Sequence, residues 1–344
     1  MKLVVTGGAG FLGSCFIRHW RAQHPNDVLV NLDRLTYAGS EARVAEVSGS
    51  PGYQFIRGDI CDPAVVARAL EGGEALVHFA AETHVDRSIV DAAPFLRTNV
   101  DGTVRVLEEA RRAGLKRIIH ISTDEVYGPV LEGVVDETAP LSPRSPYAAS
   151  KAAGDLFAQA FQKTYGAPVI IVRPTNVYGP WQFPEKFIPV CITQAIEGRR
   201  IPIYGDGRQR RAWLFVADLC DALQVIVGRG AVGAIYNVAG GEERTNLETA
   251  AAVLGCLGRG QELLDHVADR PGHDRRYAMR DEPLRALGWS PRMSFESGVR
   301  ETVTWYDRHQ AWWRPLVDQL REHSGHWLNR PVGARASASP GVPR

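Results

Sequence analysis

A doubly wound parallel α/β sheet is what this sequence predicts, and three observations carry the prediction. Short β-branched runs alternate with helical stretches through the first half of the chain. Most of these runs are apolar along their whole length, as strands covered by helices on both faces must be. A glycine-rich turn joins the first run to the first helix. The strand segments are Lys2–Thr6, Val28–Asp33, Tyr53–Arg57, Ala75–Phe79, Arg117–Ser122 and Pro168–Arg173. Helical segments fall between them at Phe11–Gln23, Pro63–Leu70, Val100–Ala113 and Pro146–Tyr165. This alternation implies right-handed crossovers and ligand binding beyond the carboxyl ends of the strands.

After about Arg173 the character changes. Segments 174–212 and 260–300 are rich in Pro, Gly, Arg and aromatic residues, which suits a smaller C-terminal substrate-binding lobe. Ala234–Val238 reads as one more strand returning to the main sheet. The expected division is 1–173 for a nucleotide-binding domain, with part of 213–260 returning to it, and 174–325 mainly for the smaller lobe. Residues 326–344 are small or turn-forming and read as a flexible tail.

Composition narrows the function. Among 344 residues, 40 Lys+Arg face 39 Asp+Glu, for a net charge of +1. That balance argues against a basic footprint for nucleic acid or an anionic membrane. With 44% hydrophobic residues, global disorder is excluded, and no run of about 18 apolar residues offers a membrane span. The chain opens on KLVVT with no charged-then-apolar leader, so a cytoplasmic protein is expected. Cys15, Cys61, Cys191, Cys220 and Cys256 are dispersed without metal-ligand spacing, so reduced thiols and no metal site are expected.

The turn reads Thr6-Gly7-Gly8-Ala9-Gly10-Phe11-Leu12-Gly13 between strand and helix. Gly7 suits the tight turn, Gly10 the approach of a pyrophosphate, and Gly13 the close packing of helix on strand. The helix N-terminus adds free N–H groups and the positive end of its dipole. This makes the predicted fold Rossmann-type, with GxxGxxG spacing. Asp33 ends the second strand, where a carboxylate accepts adenosine ribose hydroxyls and repels a 2′-phosphate; NAD is expected over NADP despite the adjacent Arg34. Asp59 and Ile60, after the third strand, border the adenine or form an ordinary turn. Ala80 and Ala81 leave the fourth strand with side chains small enough for a cofactor to approach their backbone, or simply for close packing.

Ser145-Pro146-Tyr147-Ala148-Ala149-Ser150-Lys151 opens a helix with an N-cap serine and a first-turn proline. Tyr147 and Lys151 then share a face, where the lysine's ammonium favours phenolate and can also hold the nicotinamide ribose. Thr123-Asp124-Glu125 leaves the fifth strand toward the same crevice, and Thr123 is in place to bond the reacting hydroxyl. Two successive acids at a strand exit are either solvated or functional.

With VTGGAGFLG, HFAAETHVDRSI, TNVDGT, ISTDEVYG, SPYAASKAAGD, FPEKFIP, YGDG, YNVAGG and VADRPGHDRRYA, the chain resembles the extended short-chain dehydrogenases/reductases. The pairing of TDEVYG with RPGHDRRY resembles their nucleotide-sugar 4,6-dehydratase branch. The resemblance implies C4 oxidation of dTDP-glucose or a related nucleotide hexose by Tyr147, with Thr123 and Lys151 assisting. Glu125 would then take the C5 proton and protonated Asp124 would release the C6 hydroxyl. It adds Phe11, Leu12 and Thr98 to the cofactor site. Substrate contacts are implied for His84, Asn176, Glu185, Lys186, Arg211, Asn246, Arg270 and His273, and a homodimer is implied through the helices Val100–Ala113 and Pro146–Tyr165. His84 reads equally as a satisfied core hydrogen bond, and Glu185 and Lys186 as an exposed paired turn. Val177, Trp181 and Ala212 depart from the family pattern, all in the second half, which leaves the nucleotide base and hexose open. A 4-epimerase, a UDP-glucuronate decarboxylase and a non-catalytic NAD-binding sensor stand as the alternatives.

Overall fold

The computed structural model describes residues 1–323; the expected tail, 326–344, and the end of the smaller lobe lie outside the described residues. Six strands come first: β1 (Lys2–Thr6), β2 (Val28–Asp33), β3 (Tyr53–Arg57), β4 (Ala75–His78), β5 (Arg117–Ile121) and β6 (Val169–Pro174). Then follow β7 (Asn176–Tyr178), β8 (Ile201–Tyr204), β9 (Arg210–Phe215), β10 (Ile235–Val238), β11 (Glu243–Thr245) and β12 (Leu264–Val267). The main sheet has seven strands in the order β10-β6-β5-β4-β1-β2-β3, and every pair in it is parallel. The chain winds outward from β1 through β3, then crosses back to β4 and winds the other way. The reversal opens a crevice at the carboxyl ends of β1 and β4.

Side chains on a strand alternate faces, and β1 shows how the two cores arise. Leu3 and Val5 pack with Phe16, Ile17 and Trp20 of the helix Phe11–Gln23, while Val4 packs with Val106, Leu107 and Ala110 of the helix Thr103–Arg112. Each such fully buried aliphatic side chain contributes roughly 1.5–3 kcal/mol. A third core, around Tyr178, Ile188, Trp213, Phe295, Tyr306 and Trp313, is formed by residues that follow β6. There β11, β9 and β7 form one small sheet and β12 with β8 another. Among the described residues no helix is long and apolar enough to cross a membrane.

Several expected elements differ in extent. β4 and β5 each end one residue early, but Phe79 N–H still bonds Thr6 O at 3.0 Å and Ser122 N–H bonds Val172 O at 2.7 Å. The chain is already leaving for the crevice at those points. The helix expected at Val100–Ala113 is two pieces: a wide π-helical stretch Leu96–Gly102, then Thr103–Arg112. Wide turns of this kind mark functional sites, and this one carries buried Asn99. Its amide accepts from Glu82 N–H at 2.8 Å and donates to Glu82 O at 2.9 Å and to Ser150 Oγ at 2.8 Å, which fixes the loop after β4.

Candidate active site

The crevice begins at the glycine-rich turn. Gly7 has φ +71°, and a Cβ there would stand 2.6 Å from Ala80 N and 2.7 Å from Ala80 Cα, so two strand exits touch backbone to backbone. At Gly13 a Cβ would meet Gly7 O at 2.4 Å, which seats the helix on the turn. The helix Phe11–Gln23 starts from Gly10, with no capping side chain and no acid in its first turn. Its first internal bond is Ser14 N–H to Gly10 O at 3.1 Å. The N–H groups of Phe11, Leu12 and Gly13 are therefore left to the crevice they line. An uncapped helix start in an open cradle is what a pyrophosphate requires, and the residues fit a dinucleotide.

Asp33 closes that seat from β2. Its Oδ2 accepts from Ala9 N–H at 2.9 Å and its Oδ1 from Leu35 N–H at 2.8 Å. Burial raises its pKa while those two bonds oppose the rise. Arg34, which read as an opposing signal for cofactor choice, lies 3.2 Å from Asp59 Oδ2, and Arg97 reaches the same oxygen at 2.8 Å. Asp59 thus engages the Arg34 charge and leaves the Asp33 carboxylate as the dominant one at the end of β2. Ile60, Ala80, Ala81 and Thr98 complete this part of the lining.

Thr123, Asp124, Glu125 and Tyr147 line the same cleft. The helix Pro146–Tyr165 is started by Ser145, whose Oγ accepts from Ala148 N–H at 3.1 Å, with Pro146 in the first turn. Tyr147 and Lys151 share one face, both buried. Lys151 Nζ donates to Ile121 O at 2.6 Å, behind the lining. Here the structure corrects one expectation. The phenol of Tyr147 is raised, not lowered: burial acts first and the Glu125 charge adds to it, while a hydrogen bond with Thr123 opposes. Desolvation of a phenolate next to two carboxylates outweighs the lysine, whose own pKa burial lowers to about 8.

The acids sit in a short 3-10 turn, Asp124–Tyr127, capped by Thr123, whose Oγ1 accepts from Glu125 N–H at 3.3 Å and donates to Asp124 Oδ1 at 3.2 Å. Burial pushes Asp124 up to about 7, and the Glu125 charge helps. Burial also raises Glu125, but Arg270, Arg211 and Lys186 all pull it back. Asp124 is pushed up to about 7, while the rise of Glu125 is opposed by three cations, of which Arg211 acts on Asp124 too.

The residues expected to grip substrate divide. Asn176 lines the cleft with a buried Oδ1 that no group among the described residues satisfies, as an atom kept for a ligand would be. Glu185 and Lys186 also line it. The Glu185 carboxylate is occupied by Tyr37 Oη at 2.9 Å and Arg87 Nε at 3.1 Å, and Lys186 Nζ donates to Thr83 O at 2.7 Å. Arg211, Asn246, Arg270 and His273 stand outside the lining. Arg211 donates to Asp274 O at 2.9 Å and stacks on Tyr277, while Arg270 bonds Asp86 at 2.9 Å; both reach the site electrostatically through Glu125. His273 holds Asp269 at 2.6 Å and Asn246 bonds Gln209 at 3.3 Å. His84 is absent from the lining and accepts from Arg87 N–H at 3.4 Å as an N-cap.

Sequence reasoning missed Thr36, Gly39, Glu82, Thr83, Thr175 and Gln182 in the lining. It also missed Arg43, buried, which donates to Ala9 O at 3.1 Å in the turn and to Trp181 O at 3.0 Å, just after β7. An isolated Arg in EARV carries no signal that separates it from a surface charge.

An uncapped glycine turn at the switch point, a carboxylate ending β2 and a Tyr–Lys pair across the crevice together define an NAD-dependent short-chain dehydrogenase/reductase of the extended type. The model of the NAD dependent epimerase/dehydratase family matches residues 3–239, and the chain belongs to that family. It is similar to the dTDP-glucose 4,6-dehydratase of Streptomyces niveus, 49% identical over 92% of this chain and 96% of the relative. The crystal structure of the dTDP-glucose 4,6-dehydratase of Streptomyces venezuelae, with NAD and dTDP bound, superposes at a TM-score of 0.90 and 47% identity. That match covers 92% of this chain and all (100%) of that one. A UDP-glucose 4-epimerase of Thermus thermophilus in complex with NAD matches at a TM-score of 0.83 and 31% identity, over 90% of this chain and 100% of that one.

Proposed function

We propose that the chain is a hydro-lyase that uses NAD to convert dTDP-glucose to its 4-keto-6-deoxy derivative. The observation that carries this reading is the adjacent pair Asp124 and Glu125 in the cleft, where Asp124 is pushed up to about 7 and Glu125 faces the added charges of Arg270 and Lys186. Elimination of water needs an acid for the leaving hydroxyl and a base for the neighbouring carbon acid. Epimerisation at C4 needs neither, and the same pair disfavours a decarboxylase or a sensor.

The glycine-rich turn and Asp33 would hold NAD, which would supply a hydride acceptor for C4, a hydride donor for C6 and a cationic ring that favours the Tyr147 phenolate. Tyr147 takes the proton of the C4 hydroxyl, with Thr123 bonded beside it. The resulting ketone acidifies C5–H, which Glu125 removes. Asp124 gives its proton to the C6 hydroxyl, which departs as water. Glu125 then returns its proton to C5 as C6 is reduced. Thr123, bonded to both Asp124 and Tyr147, lets the proton first taken from the C4 hydroxyl restore Asp124. Arg211, Arg270 and Lys186 supply positive charge for a diphosphate as well as for Glu125.

Incubation of the purified chain with dTDP-glucose tests the reading. The expected product is lighter by one water in mass spectrometry; an unchanged mass or loss of carbon dioxide contradicts it. A pH dependence follows as well. Because Asp124 acts in its protonated form, the elimination step is expected to slow as pH rises through about 7. Single-turnover decay of NADH reads that step, and a rate that rises with pH across this range contradicts the role given to Asp124.

The reading extends to a cytoplasmic homodimer. Its support is an exposed apolar face on two neighbouring helical segments, where Leu96 is 64%, Leu156 59% and Phe157 41% exposed. Ala93, Val100 and Val104 line the groove between them. Such a face is costly to leave in water. Leu156→Glu combined with Phe157→Glu is expected to yield a monomer in sedimentation velocity, and an unchanged dimer places the contact elsewhere.

A further inference from the structure

The proton-transfer pair does not end at Lys151. Tyr147, Lys151 and Asp155 recur at every fourth position of one helix, so their side chains form a single stripe. Tyr147 meets the cleft, Lys151 lies behind the lining, and Asp155 follows one turn further on with no exposed surface. The mechanism above makes no use of Asp155. An ionised carboxylate is nonetheless costly to bury without partners.

Two strands supply them. Arg173 on β6 donates from Nε to Asp155 Oδ2 at 2.8 Å, and His120 on β5 brings Nε2 to 3.4 Å from Oδ1. Arg173 is in turn fixed by donating to the Tyr127 hydroxyl at 2.8 Å, which donates to Asn237 Oδ1 at 2.8 Å. Arg173 thereby fixes Oδ2 of the carboxylate one helical turn from Lys151, while Oδ1 makes no hydrogen bond among the described residues.

We propose that Asp155 is a positioning residue that keeps Lys151 charged and available to the cofactor and Tyr147, and that Arg173 sets how much of the Asp155 charge Lys151 feels. The inference rests on the reading of Tyr147 and Lys151 as the proton-transfer pair. The groups around Lys151 come from four elements. Its own helix gives Tyr147 and Asp155, β4 gives His78, β5 gives His120, and Arg173 of β6 acts through Asp155. Glu125, Asp124 and Asp155 all raise the Tyr147 phenol, Asp155 least of the three. Burial keeps both imidazoles neutral, so Asp155 is the anion that opposes the loss of the Lys151 proton.

The test is the pH dependence of NAD retention with no sugar present, read as NAD remaining after rapid desalting, and of NADH formation in a first turnover. In the unsubstituted protein both are expected to decline above about 8, as Lys151 loses its proton. Asp155→Asn is expected to move that decline down by about one pH unit, and Arg173→Gln to move it up. A role confined to packing lowers retention at every pH and shifts neither decline. Should Asp155→Asn not fold, Asp155→Asn with Arg173→Gln removes the Arg173 charge together with its partner, and its decline is expected below that of the unsubstituted protein. Declines that move in the same direction for both single variants, or in neither, overturn the proposal, as does an unmoved decline in the double variant. Retention is measured without substrate, so its failure is separate from failure of the dehydratase reading.

Discussion

Asp124→Asn is expected to form NADH from dTDP-glucose at a rate within a few-fold of the unsubstituted protein, and to release keto-deoxy product about 10³-fold more slowly. Oxidation at C4 draws on Tyr147, Thr123 and Lys151, none of which needs the Asp124 proton. Departure of the C6 hydroxyl does need it, because hydroxide is a poor leaving group in a buried site. Asn keeps the volume and can still accept from Thr123 Oγ1, which now bonds Asp124 Oδ1 at 3.2 Å. The turn Asp124–Tyr127 is therefore retained while the acid is lost. Stopped-flow absorbance of NADH, with quenched samples for product, separates the two steps. Fast product release by this variant contradicts the assignment of Asp124.

Gly7→Ala is the second large effect. The added methyl would stand 2.6 Å from Ala80 N at a φ of +71°, and the atoms it meets are backbone of β4's exit, which has no rotamer to yield. The left-handed conformation costs about 1–2 kcal/mol and the forced separation of β1 from β4 about 1–3 kcal/mol more. That separation opens the pyrophosphate seat itself. The variant is expected to purify without NAD and to melt several degrees lower. Full NAD content after desalting contradicts the account of the turn. Gly10→Ala is the milder comparison: its Cβ would meet one backbone atom, Gly7 O at 3.1 Å, so it is expected to cost less stability than Gly7→Ala while NAD affinity falls.

Much of this architecture is legible in residues close together in the chain. The strand segments of the first half emerge as strands because Leu3, Val5 and Val4 show both buried faces of β1 in successive residues. Turn, helix start and β2 carboxylate lie within the first 33 residues, and Ser145, Pro146, Tyr147 and Lys151 announce their helix and its inward face together. What is illegible depends on distance along the chain or on solvent. Glu185 is paired with Tyr37, 148 residues away, and with Arg87, 98 away, and no local pattern predicts either contact. The wide turn at Leu96–Gly102 follows from Asn99 reaching Glu82 and Ser150, where the run TNVDG reads only as a weak helix start. The direction of the Tyr147 shift depends on how much water the folded cleft removes, which spacing alone cannot state. Asp155 reads as a surface acid of a long helix until β5 and β6 bring His120 and Arg173 to it.

The division of labour between Asp124 and Glu125 is tested most directly by turnover of dTDP-glucose in deuterated water with Asp124→Asn and Glu125→Gln side by side. Nuclear magnetic resonance of the recovered sugar nucleotide reads deuterium at C5. Asp124→Asn is expected to exchange C5–H with solvent, since oxidation and the base are intact and only the leaving step is blocked. Glu125→Gln is expected to form NADH and leave C5–H in place. Exchange in Glu125→Gln and none in Asp124→Asn would assign the two carboxyls in reverse and contradict the account.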